Sequence, residues 1–79
     1  MLTRIQVKLA RTALGWTVRE LAERADVVPN TVNRFETGRQ NANNSTLARI
    51  RDVFEAEGIG FPNPETITWP KSLVEADKE

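Results

Sequence analysis

The segment from Val18 to Phe35 limits the fold of this chain more than any other stretch. Its apolar and small residues stand at Leu21, Ala22, Ala25, Val27, Val32 and Phe35. That spacing suits two short helices meeting at a steep angle around a tight turn, not one long helix. Asp26 falls where the chain must turn, and Pro29 falls in the first turn of the second helix, where its missing N–H costs nothing. The second helix then lies at the surface and presents Asn30, Thr31, Asn33 and Arg34 outward.

The flanking sequence carries its own start and stop signals. Thr3 with Gln6 three residues later forms a capping box that opens a first helix, and Thr17 with Glu20 forms another that opens the next, from Val18 to about Arg24. Gly15 ends the first helix, and Gly38 ends the helix expected over residues 29–36. Asp26 is asked to take the left-handed conformation, which Asp tolerates better than most residues but less well than Gly. In the first helix Ile5, Leu9 and Ala13, with Leu2, Ala10 and Leu14 beside them, form the apolar stripe expected to face the core. Arg39 to Ser45 is a polar loop, at the end of which Asn44 or Ser45 can cap a fourth helix. Leu47, Ile50, Val53 and Phe54 give that helix its buried face, and Gly58 closes it.

Beyond Gly58 the character changes. Gly60, Pro62, Pro64 and Pro70 forbid a continuous helix, while Ile67 to Trp69 has the composition of a strand. Ile59–Phe61 and Ile67–Trp69 can pair across the intervening turn, and a lone hairpin of this size must pack on something to persist. Phe61, Ile67 and Trp69 are the candidates, either covering the small core or meeting a second chain. Residues 71–79 are polar and acidic, and are expected to fray. The expected organisation is a helical domain over residues 1–58 and an extension over residues 59–79.

Composition narrows the function. The chain of 79 residues contains no cysteine and no histidine. That removes disulfides, thiolate metal sites, the commonest metal ligand and the commonest general base. Ser45 and Ser72 lack the usual partner for nucleophilic catalysis, so neither an enzyme nor a bound cofactor or metal is expected. No apolar run is long enough for a membrane helix or a signal peptide, and a cytoplasmic protein is expected. The formal net charge is zero, but residues 1–51 carry nine Arg/Lys against four Asp/Glu, and residues 52–79 carry two Lys against seven. A +5 segment followed by a −5 segment leaves a basic local field that can steer an anionic partner.

The stretches Leu14–Thr17, Glu20–Ala25, Val32–Gly38 and Ser45–Ile50 resemble the helix-turn-helix DNA-binding domain of the phage-repressor and Cro type, the XRE family. The resemblance covers roughly residues 3–57. It implies a mainly α, compact four-helix domain like that of lambda repressor, here with a short C-terminal β or irregular extension. It also implies a sequence-specific transcriptional regulator, a repressor, bound to double-stranded DNA as a homodimer. The third helix would lie in the major groove, with its base-facing positions at Val28, Pro29, Asn30, Asn33 and Arg34. Phosphate contacts fall to Thr17, Arg19, Thr31, Arg39, Asn41 and Asn44. Arg11 and Glu36 match an internal ion pair of the family. Three residues depart from the family pattern: Val18 where Gln is frequent, Asp26 where Gly is usual, and Val28 where a polar residue is common. A second use of the same fold is an antitoxin or adaptor, whose acidic C-terminal segment would meet a protein partner.

Overall fold

Four helices precede a two-stranded hairpin in the computed structural model, which describes residues 2–69. Helix α1 spans Arg4–Ala13, α2 Val18–Ala25, α3 Pro29–Glu36 and α4 Asn44–Ala56, followed by β1 Gly60–Asn63 and β2 Thr66–Thr68. The expected acidic stretch at residues 71–79 lies outside the described residues.

Both capping boxes form. The Thr3 hydroxyl accepts from the Gln6 N–H at 3.2 Å while Gln6 Oε1 accepts from the Thr3 N–H at 2.9 Å. Thr17 and Glu20 reciprocate in the same way, each at 3.1 Å. Such boxes satisfy N–H groups that no helical carbonyl can reach, so the helix start is fixed by local chemistry alone. The cap of α4 sits earlier than expected. Asn43, not Asn44 or Ser45, accepts from the Thr46 N–H at 2.8 Å, and Asn44 is the first helical residue.

The core is one cluster built from every element. Leu21, Ala22, Ala25, Val32 and Phe35 are buried as the Val18–Phe35 spacing requires, with Val27 half-buried against them. Leu47, Ile50 and Phe54 of α4 close the other side, and Val53 is half-buried. A ladder of rings crosses this core. Trp16 stacks on Phe54 with centroids 6.0 Å apart, and Phe54 meets Phe61 at 6.1 Å. The Arg24 guanidinium lies 4.4 Å from the Trp16 ring and that of Arg51 5.9 Å from Phe61, so a cation covers each end.

Helix α1 corrects one expectation. Its buried residues are Gln6, Val7 and Ala10, with Leu2 just ahead of them, whereas Ile5, Leu9 and Ala13 are exposed. The reason is Gln6, a polar residue that hydrophobic periodicity counts as surface. Its side chain is 1% exposed and fully used. Nε2 donates to the carbonyls of Asn63 at 2.6 Å and Thr66 at 2.9 Å, while Oε1 holds the cap. The Thr3 hydroxyl reaches the Pro64 carbonyl at 3.0 Å. The start of α1 therefore grips the hairpin turn, and this contact sets the rotation of the helix.

The hairpin is antiparallel with a register irregularity between the pairs Gly60–Thr68 and Asn63–Thr66. It sits nearer the turn than the expected Ile59–Phe61 and Ile67–Trp69 pairing, because Ile59 stays out of the strand and enters the core at 2% exposure. A Cβ on Gly60 would stand 2.5 Å from the Thr68 hydroxyl, so a larger residue here would force the Thr68 side chain to move. Phe61 and Ile67 are half-buried against the helical core, while Trp69 is 45% exposed.

Two stability measurements check this account. Gln6→Ala strands two hairpin carbonyls, and chemical denaturation should show a loss of about 2–3 kcal/mol. Asp26→Gly removes a left-handed side chain, at φ 57. It should leave stability unchanged or raise it by up to ~1 kcal/mol, whereas Asp26→Val should lower it by at least that much.

Candidate nucleic-acid interface

The geometry of the surface helix is set at the turn before it. Asp26 takes φ 57 and ψ 49, and the Val27 N–H closes back on the Ala22 carbonyl at 2.9 Å. Arg49 of α4 donates to the Asp26 carbonyl at 3.2 Å, bracing the turn from outside. Ala22 is fully buried on α2, which packs on both α3 and α4, so a larger side chain there would have to displace a neighbouring helix.

The far end of α3 is held by charge. Arg11 Nε donates to Glu36 Oε2 at 2.9 Å and Nη2 to Glu36 Oε1 at 3.1 Å, a two-pronged pair. Arg11 Nη1 also donates to the Trp16 carbonyl at 2.8 Å. The side chains are 17% and 5% exposed. One guanidinium thus ties α1 to the end of α3 and to the chain leading into α2.

With Val32, Phe35 and Glu36 turned inward, the outer row of α3 is free. Val28, the N-terminal flanking residue, is 63% exposed, and Pro29, Asn30, Asn33 and Arg34 are all exposed. The five expected base-facing residues therefore share one surface. Val28 supplies no capping side chain to α3, so the N–H groups of its first turn are left without one. Arg34 Nη1 donates to Gln40 Oε1 at 3.4 Å. Gln40 escaped the sequence reading, since a pair six residues apart across a helix end has no helical spacing to signal it.

The expected phosphate contacts are distributed around this row. Thr17 caps α2; its oxygen accepts from Glu20, which leaves the O–H free to donate to an anion. The Glu20 carboxylate of the same box sits at that helix start and opposes an anion there. Arg19 pairs with Glu23 at 3.6 Å with both side chains more than two-thirds exposed, a contact that water loosens easily. Arg39, Asn41 and Asn44 are exposed, and Thr31 is half-buried. Asn44 opens α4, while the neighbouring Asn43 is committed to its cap.

The family model of the helix-turn-helix domain matches residues 7–57, from the middle of α1 to the residue after α4. The chain belongs to this helix-turn-helix family, of the XRE type. No curated protein matches it closely enough to count as a relative. The match spans α2, α3 and their turn, all of α4 and the part of α1 that carries Arg11, so it covers the elements that expose α3. This helix-turn-helix protein is a DNA-binding transcription regulator. Among the described residues no helix is long and apolar enough to cross a membrane.

A double-mutant cycle tests the supporting pair. Arg11→Ala and Glu36→Ala should each cost about 3 kcal/mol, because each leaves a buried charge alone. The double variant should cost clearly less than the sum. Additive losses would mean that the two side chains do not stabilise each other.

Proposed function

We propose that this protein is a sequence-specific repressor that binds a two-fold symmetric operator as a homodimer in the cytoplasm, with α3 in the major groove. The observation that carries the proposal is the exposed polar row of Asn30, Asn33 and Arg34 on a helix whose opposite side is fixed by Val32, Phe35 and Glu36. A reading helix needs both properties, because base recognition requires side chains held at a fixed angle.

Asn30 is suited to adenine and Arg34 to guanine, while Val28 and Pro29 offer apolar contact to a thymine methyl. Gln40 holds the Arg34 guanidinium near the end of the helix before DNA arrives. Thr17, Arg19, Thr31, Arg39, Asn41 and Asn44 are the proposed phosphate contacts. One domain covers little DNA, so a dimer on two half-sites supplies the affinity. Phe61 and Ile67 serve their own core, which leaves Trp69 as the exposed large apolar residue of the extension among the described residues. If Trp69 lies in the dimer contact, Trp69→Ser lowers the sedimenting mass.

Selection from random DNA should enrich a two-fold symmetric site. Arg34→Ala should weaken binding to that site about tenfold or more, relaxing the sequence preference at one base pair. With Arg19, Arg34 and Arg39 as the cations at the interface, the salt dependence should be shallow, with a log–log slope of roughly −3 per monomer. Enrichment of no site, or unchanged affinity when Asn30 and Arg34 are both replaced by alanine, would remove α3 as the reader.

A further inference from the structure

The apolar stripe of α1 that the fold leaves outside is the starting point. Ile5 is 53% and Leu9 45% exposed, one helical turn apart on the same row. Between this row and the end of α3 runs a groove of about 310 Å³ lined by Arg4, Ile5, Lys8, Leu9, Thr12 and Glu36. Asn30, Asn33 and Arg34 do not line it, so it lies apart from the reading row.

The charges around the groove are one-sided. Glu36, its one lining carboxylate, is buried and held by both prongs of Arg11. Arg4 and Lys8 are exposed, and among the described residues neither forms an ion pair. Two aliphatic side chains bordered by two uncommitted cations make an amphipathic, basic surface. Turning Ile5 and Leu9 inward would satisfy them, but Gln6 and Arg11 fix the rotation of α1 and prevent it.

We infer that this face of α1 docks an acidic segment of another protein, one that places apolar side chains on Ile5 and Leu9 and carboxylates against Arg4 and Lys8. A helix laid in a groove with anchors one turn apart is a recurring mode of peptide recognition. Charge complementarity favours this occupant over a second copy of the same face and over DNA. A second copy placed on the same face by a two-fold axis would set one basic face against another, and like charges repel. A DNA phosphate would gain from the cations but nothing from the aliphatic floor. The contact would join a regulator to a partner without occupying the residues of its reading row.

The test is a methyl-resolved NMR titration of the full chain with a short synthetic helical peptide bearing leucines one turn apart between glutamates. The same peptide with lysines in place of the glutamates is the control. The acidic peptide should shift the Ile5 and Leu9 methyl signals saturably, and the lysine peptide should not. Lys8→Glu should weaken binding roughly three- to tenfold, the scale of an exposed charge contact. Leu9→Asp should abolish it with the backbone spectrum of α2 and α3 unchanged, and Ile5→Asn provides a second variant should the first fail to fold. The inference is overturned if the acidic peptide produces no saturable shift, or if the methyl signals move with protein concentration alone. It is also overturned if they respond to selected DNA and not to the peptide. The peptide and protein-concentration outcomes do not depend on α3 reading bases.

Discussion

The Arg11–Glu36 pair is the contact on which the rest of the arrangement depends. A domain of this size has few apolar residues to spend, and it places two opposite charges largely out of water. Desolvating both is costly, and their attraction compensates only when geometry and additional hydrogen bonds are good. Here the pair is two-pronged and the third guanidinium nitrogen has the Trp16 carbonyl. The return is positional. Helix α3 is eight residues long, too short to hold a shape by itself. The turn at Asp26 fixes one end, and Glu36 fixes the other. Between them Val32 and Phe35 press on the core, so the outer row has one orientation.

A second polar anchor does the same for the other end of the chain. Gln6 joins the start of α1 to the hairpin through two backbone carbonyls, and its cap oxygen completes the connection. These two anchors, five residues apart on one helix, determine which side of α1 faces inward. They explain how a helix with an apolar stripe can present part of it to solvent. Burying Ile5 and Leu9 would turn Gln6 outward and strand the two hairpin carbonyls it now satisfies.

What was legible in the sequence was mostly local. Thr3 and Thr17 announce helix starts because a capping box is satisfied within four residues, whatever the rest of the chain does. The Val18–Phe35 spacing is legible because both helices meet across one turn. The cap of α4 was misplaced because Asn43, Asn44 and Ser45 can all cap, and tertiary packing chooses among them. The face of α1 was misread because a buried glutamine looks polar until its carbonyl partners, 57 and 60 residues away, are in place. Arg49 on Asp26, 23 residues apart, is invisible for the same reason, whereas Gln40 on Arg34 is local but crosses a helix end, where no regular spacing marks it. The departures at Val18, Asp26 and Val28 leave the architecture intact. Asp26 takes the left-handed turn that glycine would take more cheaply, and Val28 leaves the first turn of α3 uncapped.

The central claim is that a rigidly mounted α3 reads bases through its exposed polar row. The most direct measurement is NMR of the side-chain amide and guanidinium signals of Asn30, Asn33 and Arg34 in the protein bound to its selected duplex. The account predicts slowed exchange for these groups and NOEs from them to major-groove base protons. If those signals stay as they are in the free protein while others respond to DNA, α3 is not the reader, and the account fails at its centre.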